Sequence, residues 1–183
     1  MPAQSGGGEH EVVSGDAVQE VSVYTDGSCM GNPGPGGWAW AAEVGLYTSG
    51  AEASTTNQRM EVTAALEAVQ WLVDGGIAEI GHGVPGGSHG GAVTVVSDSN
   101  YLVNCFRQRW WEGWMRRGWK NSRGDRVANR DLWEPLLHLV LDGPLAVHFV
   151  WVRGHSGHPM NELVNDLAQE AARSQRGSST RGQ

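Results

Sequence analysis

The sequence predicts an α/β domain, a single mixed sheet of five strands with helices packed against it. Three observations carry this. Three short alternating segments, VSVYTD (21–26), GWAWAAEV (37–44) and LYTSGAEA (46–53), follow one another near the start with little but turn residues between them. The hydrophobic period then changes from two to three and four between Thr55 and Gly75. Two further apolar runs, AVTVVSD (92–98) and AVHFVWV (146–152), are each followed by a helical pattern.

Taken in order, VSVYTD is rich in β-branched and aromatic residues, and the next two segments flank Gly45, so the chain opens as an antiparallel meander. Val62, Ala65, Leu66, Val69, Leu72 and Val73 form one face of a helix, with Thr and Asn residues available as its cap and Gly75-Gly76 as its stop. GHGVPGGSHGG (81–91) reads as a flexible loop, a Gly-rich insertion longer than an ordinary connection. AVTVVSD is apolar enough for a central strand. A helix–loop–helix region rich in Trp and Arg follows. DLWEPLLHLVLDG (131–143) reads as a helix with Pro135 in its first turn, AVHFVWV as the fifth strand, and Pro159 to Arg173 as the last helix. Residues 1–18 and 174–183 are built from Gly, Ser, Gln and scattered charges and are expected to be disordered, leaving one folded domain over 19–173.

A chain of 183 residues can bury a core without disulfides or structural metal. The apolar fraction of 39% and the nine tryptophans exclude a disordered chain, and no run approaches the roughly 20 apolar residues of a membrane span. The leader MPAQSGGGEHEVVSG lacks the apolar stretch of an export signal, so the cytoplasm is the expected compartment. A monomer is the expected state. Cys29 and Cys105 are too few for a disulfide framework and are expected to be free thiols. The net charge of −7 argues against a nucleic-acid partner, but its distribution reverses that reading. Eight of the 13 basic residues fall between Arg107 and Arg130 against only Glu112 and Asp125, so that segment carries +6 and the remainder −13.

Asp26 and Asp98 end apolar strands, and Glu61 stands near the start of the first helix. Three carboxylates from three elements suit hard cations, which prefer oxygen ligands, and a pair of Mg²⁺ ions is a common device for phosphodiester cleavage. Any one of these acids taken alone is far more often a solvated surface group or a cap.

The motifs TDGSCMGNPGPGGW (25–38), TTNQRMEV (55–62), VSDSNY (96–101), RRGWK (116–120), NRDLW (129–133) and WVRGHSGHPMNELVNDLA (151–168) occur together and in this order. The chain thereby resembles the type 1 ribonucleases H of bacteria over about residues 21 to 173. The resemblance implies a ribonuclease H-like fold, with three antiparallel strands followed by two parallel additions. It implies hydrolysis of the RNA strand of RNA–DNA hybrids with two Mg²⁺ ions, for which Mn²⁺ can substitute. By it, Asp26, Glu61 and Asp98 are metal ligands, and His155 assists proton transfer or product release from a loop that Gly154 and Gly157 make flexible. It places Gly27, Cys29, Asn32, Asn57, Gln58, Ser99, Asn100 and Asn161 against the substrate, the amides meeting the minor groove where 2′-hydroxyls mark the RNA strand. Trp110, Trp114, Arg116, Arg117, Trp119 and Lys120 match the family's basic protrusion, which grips the DNA strand. One or two of the tryptophans in this segment are expected to pack inside.

The chain departs from the family at one corner of the site. The resemblance puts a fourth acid ten residues beyond the loop histidine, where this chain has Asn165. Asp166 follows, but a helical wheel with Leu163, Val164, Leu167, Ala168 and Ala171 on one apolar arc sets Asn165 and Asp166 on opposite flanks. Asn165 offers a neutral oxygen only, so weakened binding of a second metal is expected. The alternative is a catalytically impaired hybrid-binding protein. An integrase or transposase nuclease on the same fold is a further reading, against which stands the Trp-rich basic segment.

Overall fold

The computed structural model describes residues 21–80 and 92–180. The expected leader at 1–18 and the Gly-rich loop at 81–91 lie outside the described residues. Strands β1 (Val21–Cys29), β2 (Gly34–Ala42) and β3 (Tyr47–Thr55) pair antiparallel, with Asp26 opposite Ala39 and Trp38 opposite Gly50. Strand β4 (Ala92–Ser97) adds parallel to β1, and β5 (Ala146–Trp151) adds parallel to β4. The order β3-β2-β1-β4-β5 is the expected mixed sheet.

Alternation along the strands divides their side chains between two helical layers. Val21, Val23, Trp40 and Val93 face helix α1 (Asn57–Trp71), where Trp40 stacks on Trp71 with ring centroids 4.3 Å apart. Tyr24, Ala39, Ala41 and Val96 face the last helix, α6 (Pro159–Ser174), and pack on Val164 and Ala168. That helix lies close because β2 presents Gly37, where a Cβ would collide with the Ala168 carbonyl oxygen. Beyond α1, helices α3 (Asn100–Arg107), α4 (Trp110–Arg116) and α5 (Arg130–Leu141) enclose a third cluster around Leu102, Trp114, Trp133 and Leu136.

Several boundaries differ from expectation for physical reasons. β1 does not end at Asp26 but continues to Cys29, because β2 still pairs with it there after the β4 ladder has stopped at Thr25. The first helix passes at Leu72–Gly76 into a π-helical turn, breaks at Gly75 (φ 113°) and resumes as the short α2 (Ile77–Glu79). Pro135 is the sixth residue of α5, beyond its first turn, so the Asp131 carbonyl goes without its helical donor while the helix continues. The C-terminal tail is not disordered throughout. Ser49 N–H donates to the Ser178 carbonyl (2.8 Å) and Thr180 N–H to the Tyr47 carbonyl (3.1 Å), so 178–180 cover the backbone groups that edge strand β3 would otherwise leave unpaired. Among the described residues no helix is long and apolar enough to cross a membrane.

Candidate active site

The site forms where β1 and β4 leave their parallel pairing and α1 begins. Asp26 is 7% exposed and turns to the α6 side of the sheet, and its Oδ1 accepts the Gly27 N–H at 2.7 Å. Burial, then the charge of Asp98 and more weakly that of Glu61, pushes its carboxyl up to about 8, although the Gly27 N–H favours the ionised form. Gly27 turns to the opposite side. A Cβ there would collide with the Glu61 nitrogen and the Met60 carbonyl carbon, so a glycine lets α1 start directly against β1.

Glu61 is the fifth residue of α1, a helix capped by Thr56, whose hydroxyl accepts the Arg59 N–H. Its carboxylate accepts Asn57 Nδ2 at 2.8 Å and Ser99 Oγ at 2.5 Å. Burial raises its pKa, the Ser99 bond opposes that, and the Asp98 charge raises it further. Ser99 also caps α3, accepting the Leu102 N–H at 3.1 Å, so one hydroxyl joins the start of α3 to the acid on α1. Asp98 follows β4 directly. Its carbonyl accepts Trp151 Nε1–H at 2.9 Å, and its carboxylate lies against Gly154, where a Cβ would collide with Oδ2.

Each of the three acids therefore lies within the field of at least one other. Among the described residues, no group of three or more His, Cys, Asp and Glu is arranged to hold an ion as it stands. The donor chemistry fits a hard divalent cation: three carboxylate oxygen donors, one of them held protonated near neutral pH by burial and by neighbouring negative charge that a cation would relieve.

The RNase H family pattern matches residues 18–173. A ribonuclease H of Thermus thermophilus is 42% identical over 160 residues, 86% of this chain and 86% of its own. One of Nitratidesulfovibrio vulgaris is 45% identical over 156 residues, covering 84% of this chain and 89% of its own. The chain belongs to the ribonuclease H family. Among solved structures, LC9-RNase H1, a type 1 RNase H with the type 2 active-site motif, is similar at TM-score 0.65 and 33% identity over 88% of this chain and 74% of that one. The RNase H-like sheet also matches a foamy viral protease-reverse transcriptase solved with dsDNA, at TM-score 0.63 and 18% identity over 84% of this chain and 94% of that one, a likeness of fold alone.

In this member of the ribonuclease H family one amide side chain, that of Asn57, touches Glu61. Asn57 bonds to it, and the Asn57 N–H donates to Asn32 Oδ1 at 3.3 Å, tying the glycine-rich turn after β1 to the start of α1. Gln58 and Asn100 are exposed at the same end of the sheet. Cys29 is half-buried, with Sγ 3.4 Å from the Thr55 carbonyl oxygen. His155 is exposed in the loop after β5. Asn161, in the first turn of α6, is 2% exposed and does not face solvent; its Oδ1 has no hydrogen-bond partner among the described residues.

Asn165 is half-buried one turn further on, and its Oδ1 accepts Gln169 Nε2 at 3.0 Å. The apolar arc of α6 differs from the expected one. Leu163 is 39% exposed, and the buried residues are Asn161, Val164, Ala168, Ala171 and Ala172. At 3.6 residues per turn, Asn165 lies roughly 70° from the centre of that arc and Asp166 roughly 170°. Asp166 therefore points to solvent, and Asn165 alone borders the sheet.

Within the basic protrusion one expected substrate contact is corrected. Trp114 is 7% exposed and meets Trp133 edge-on at 5.5 Å, so it is a core residue that seats α4 on α5. Trp110 and Trp119 stay half-exposed, and Arg116, Arg117 and Lys120 are exposed. Trp110, Arg116, Arg117 and Asn121 line a cavity of about 380 Å³ on this surface. Sequence reading does not single out Trp151, and takes Gly154 only as a source of loop flexibility, yet both touch Asp98; their signal is position, since they fall at the end of β5 and just before His155.

Proposed function

We propose that this ribonuclease H hydrolyses the RNA strand of RNA–DNA hybrids by two-metal-ion catalysis with Mg²⁺, weakened at the second ion by Asn165. The mutual charge effects of Asp26, Glu61 and Asp98, three carboxylates from three elements, carry the reading. These three would hold the cations, with Asn165 adding a neutral oxygen once Gln169 releases it. Bound cations would activate a water and stabilise the leaving 3′-oxygen.

The chain's own residues supply the remainder. Ser99 and Asn57 orient the Glu61 carboxylate. His155 moves a proton or aids product release from the adjacent loop. Asn32, Gln58 and Asn100 meet the minor groove, where only the RNA strand offers 2′-hydroxyls. Trp110, Trp119, Arg116, Arg117 and Lys120 grip the DNA strand through stacking and charge.

The test offers matched RNA–DNA, RNA–RNA and DNA–DNA duplexes with and without Mg²⁺ or Mn²⁺. Cleavage confined to the RNA of the hybrid and dependent on metal is the expected result. The missing fourth carboxylate favours a second reading, a hybrid-binding protein with impaired catalysis. Binding of the hybrid without cleavage in either metal would select it.

A further inference from the structure

Composition makes the His155 loop, 152–158, look flexible, yet its contacts hold it at both ends. His155 itself adopts φ 51°, a left-handed conformation uncommon outside glycine. The residues on either side of it are held by β1 and by the end of β4.

On the β4 side, the Val152 N–H donates to the Ser97 carbonyl at 3.1 Å and Trp151 Nε1–H to the Asp98 carbonyl at 2.9 Å. One residue before His155, Gly154 presses on the Asp98 carboxylate so closely that no side chain fits between them. On the β1 side, His158 leans on Tyr24, their ring centroids 5.1 Å apart at 32° and Nε2 3.5 Å from the phenol oxygen. Tyr24 is buried, two residues before Asp26 and on the same face of β1.

One arrangement of protons satisfies this second contact. The Tyr24 O–H donates to Glu43 Oε1 at 3.3 Å, and the phenol oxygen accepts Nε2–H of His158. His158 is also the residue that caps α6, with φ −76° and ψ 114°. Holding its ring therefore fixes both the end of the loop and the point where the helix bearing Asn161 and Asn165 begins.

We propose that Trp151 and Tyr24 are positioning residues that clamp the His155 loop to the strands bearing Asp98 and Asp26, so that His155 meets the reacting phosphate from a fixed place. The inference rests on the role given to His155 above. Neither aromatic residue touches substrate in this scheme, and each acts through the loop.

Trp151→Phe and Tyr24→Phe each keep an aromatic ring; the first removes the indole donor to the Asp98 carbonyl and the second the phenol oxygen that accepts from His158. Both are made alone and in a His155→Ala background, and cleavage of an RNA–DNA duplex is measured for kcat and KM. Hydrogen exchange at the amides of residues 153–157 is followed on the same proteins. Each substitution is expected to lower kcat by about threefold to tenfold, the factor that one neutral hydrogen bond supplies, with KM nearly unchanged. It should also speed exchange in the loop, and it should leave kcat alone once His155 is already alanine. Equal slowing in both backgrounds, a change in KM only, or unchanged rate and exchange overturns the inference. His155→Ala cleaving at the native rate overturns the role of His155 as well, and that single enzyme tells the two failures apart.

Discussion

Replacing Asp26 by asparagine should stabilise the metal-free protein while abolishing cleavage. The Asp26 carboxyl titrates at about 8 in the folded protein against 3.8 when unconstrained. The folded state thus holds the proton more tightly, so stability is greatest at low pH, falls as pH rises from about 4 to about 8, and is flat above that. At pH 7, keeping this acid protonated on folding costs at most about 4 kcal/mol, from some three pH units above 3.8 at 1.36 kcal/mol each. Asparagine carries no such penalty, and its Oδ1 can still accept the Gly27 N–H. With relaxation around the site, a gain of about 1–4 kcal/mol is expected, equivalent to a rise in Tm of roughly 3–15 °C for a chain of this size. Thermal unfolding of both proteins in EDTA at pH 5, 7 and 8 is the assay. The gap should widen from pH 5 to pH 8, and added Mg²⁺ should raise the Tm of the parent more than that of the variant. A variant no more stable than the parent at pH 8, or a gap independent of pH, would refute the account of why the Asp26 carboxyl holds its proton.

Asn165→Asp adds a charge at the edge of the α6 face and should lower the Mg²⁺ concentration for half-maximal cleavage by about threefold to tenfold, on the order of one added charged ligand; an unchanged metal titration would contradict it. Gly27→Ala sets a methyl group against the backbone of Met60 and Glu61, forcing β1 and α1 apart. A loss of about 2 kcal/mol or more is expected, and a fall in Tm below about 2 °C would show that α1 moves aside freely. Arg116→Ala removes an exposed cation beside Trp110 and should weaken hybrid binding regardless of sequence, reducing the salt dependence of log K by about 1 with kcat unaffected. A change in kcat alone would place Arg116 in the chemistry instead.

The periodicities made the five strands, the three long helices and their order legible, because each buried face repeats with the period of its element. What periodicity cannot carry is the partner that ends or extends an element. β1 outruns Asp26 because β2 continues beside it, and residues 178–180 are ordered because β3 has an open edge. The three acids were legible only through motif context, since an isolated Asp gives no sign of its neighbours. Trp114 has the same helical spacing and basic neighbours as Trp110, and only the position of Trp133 on another helix makes one a core residue and the other a surface one. Trp151 stayed hidden because its contribution is a single indole N–H aimed at a backbone carbonyl 53 residues away.

A chain of net charge −7 that handles a polyanion must keep its acids from facing the phosphates unneutralised. Here the two charge populations sit on different elements: the site acids on β1, just after β4 and at the start of α1, the cations on α4 and the turn after it. Trp114, Trp133 and Tyr101 join those regions as one packed aromatic group, with Trp133 Nε1–H bonded to the Tyr101 hydroxyl at 3.0 Å. A surface ion pair would leave that spacing soft and dependent on salt, whereas a buried aromatic contact holds it at any ionic strength. The burial of Trp114 thus serves the same end as the exposure of Trp110 and Arg116. One fixes where the cationic surface stands relative to the carboxylates, and the others present it. Asn165 fits the same balance, because a neutral amide adds no negative charge beside the site and leaves undisturbed the face on which α6 packs.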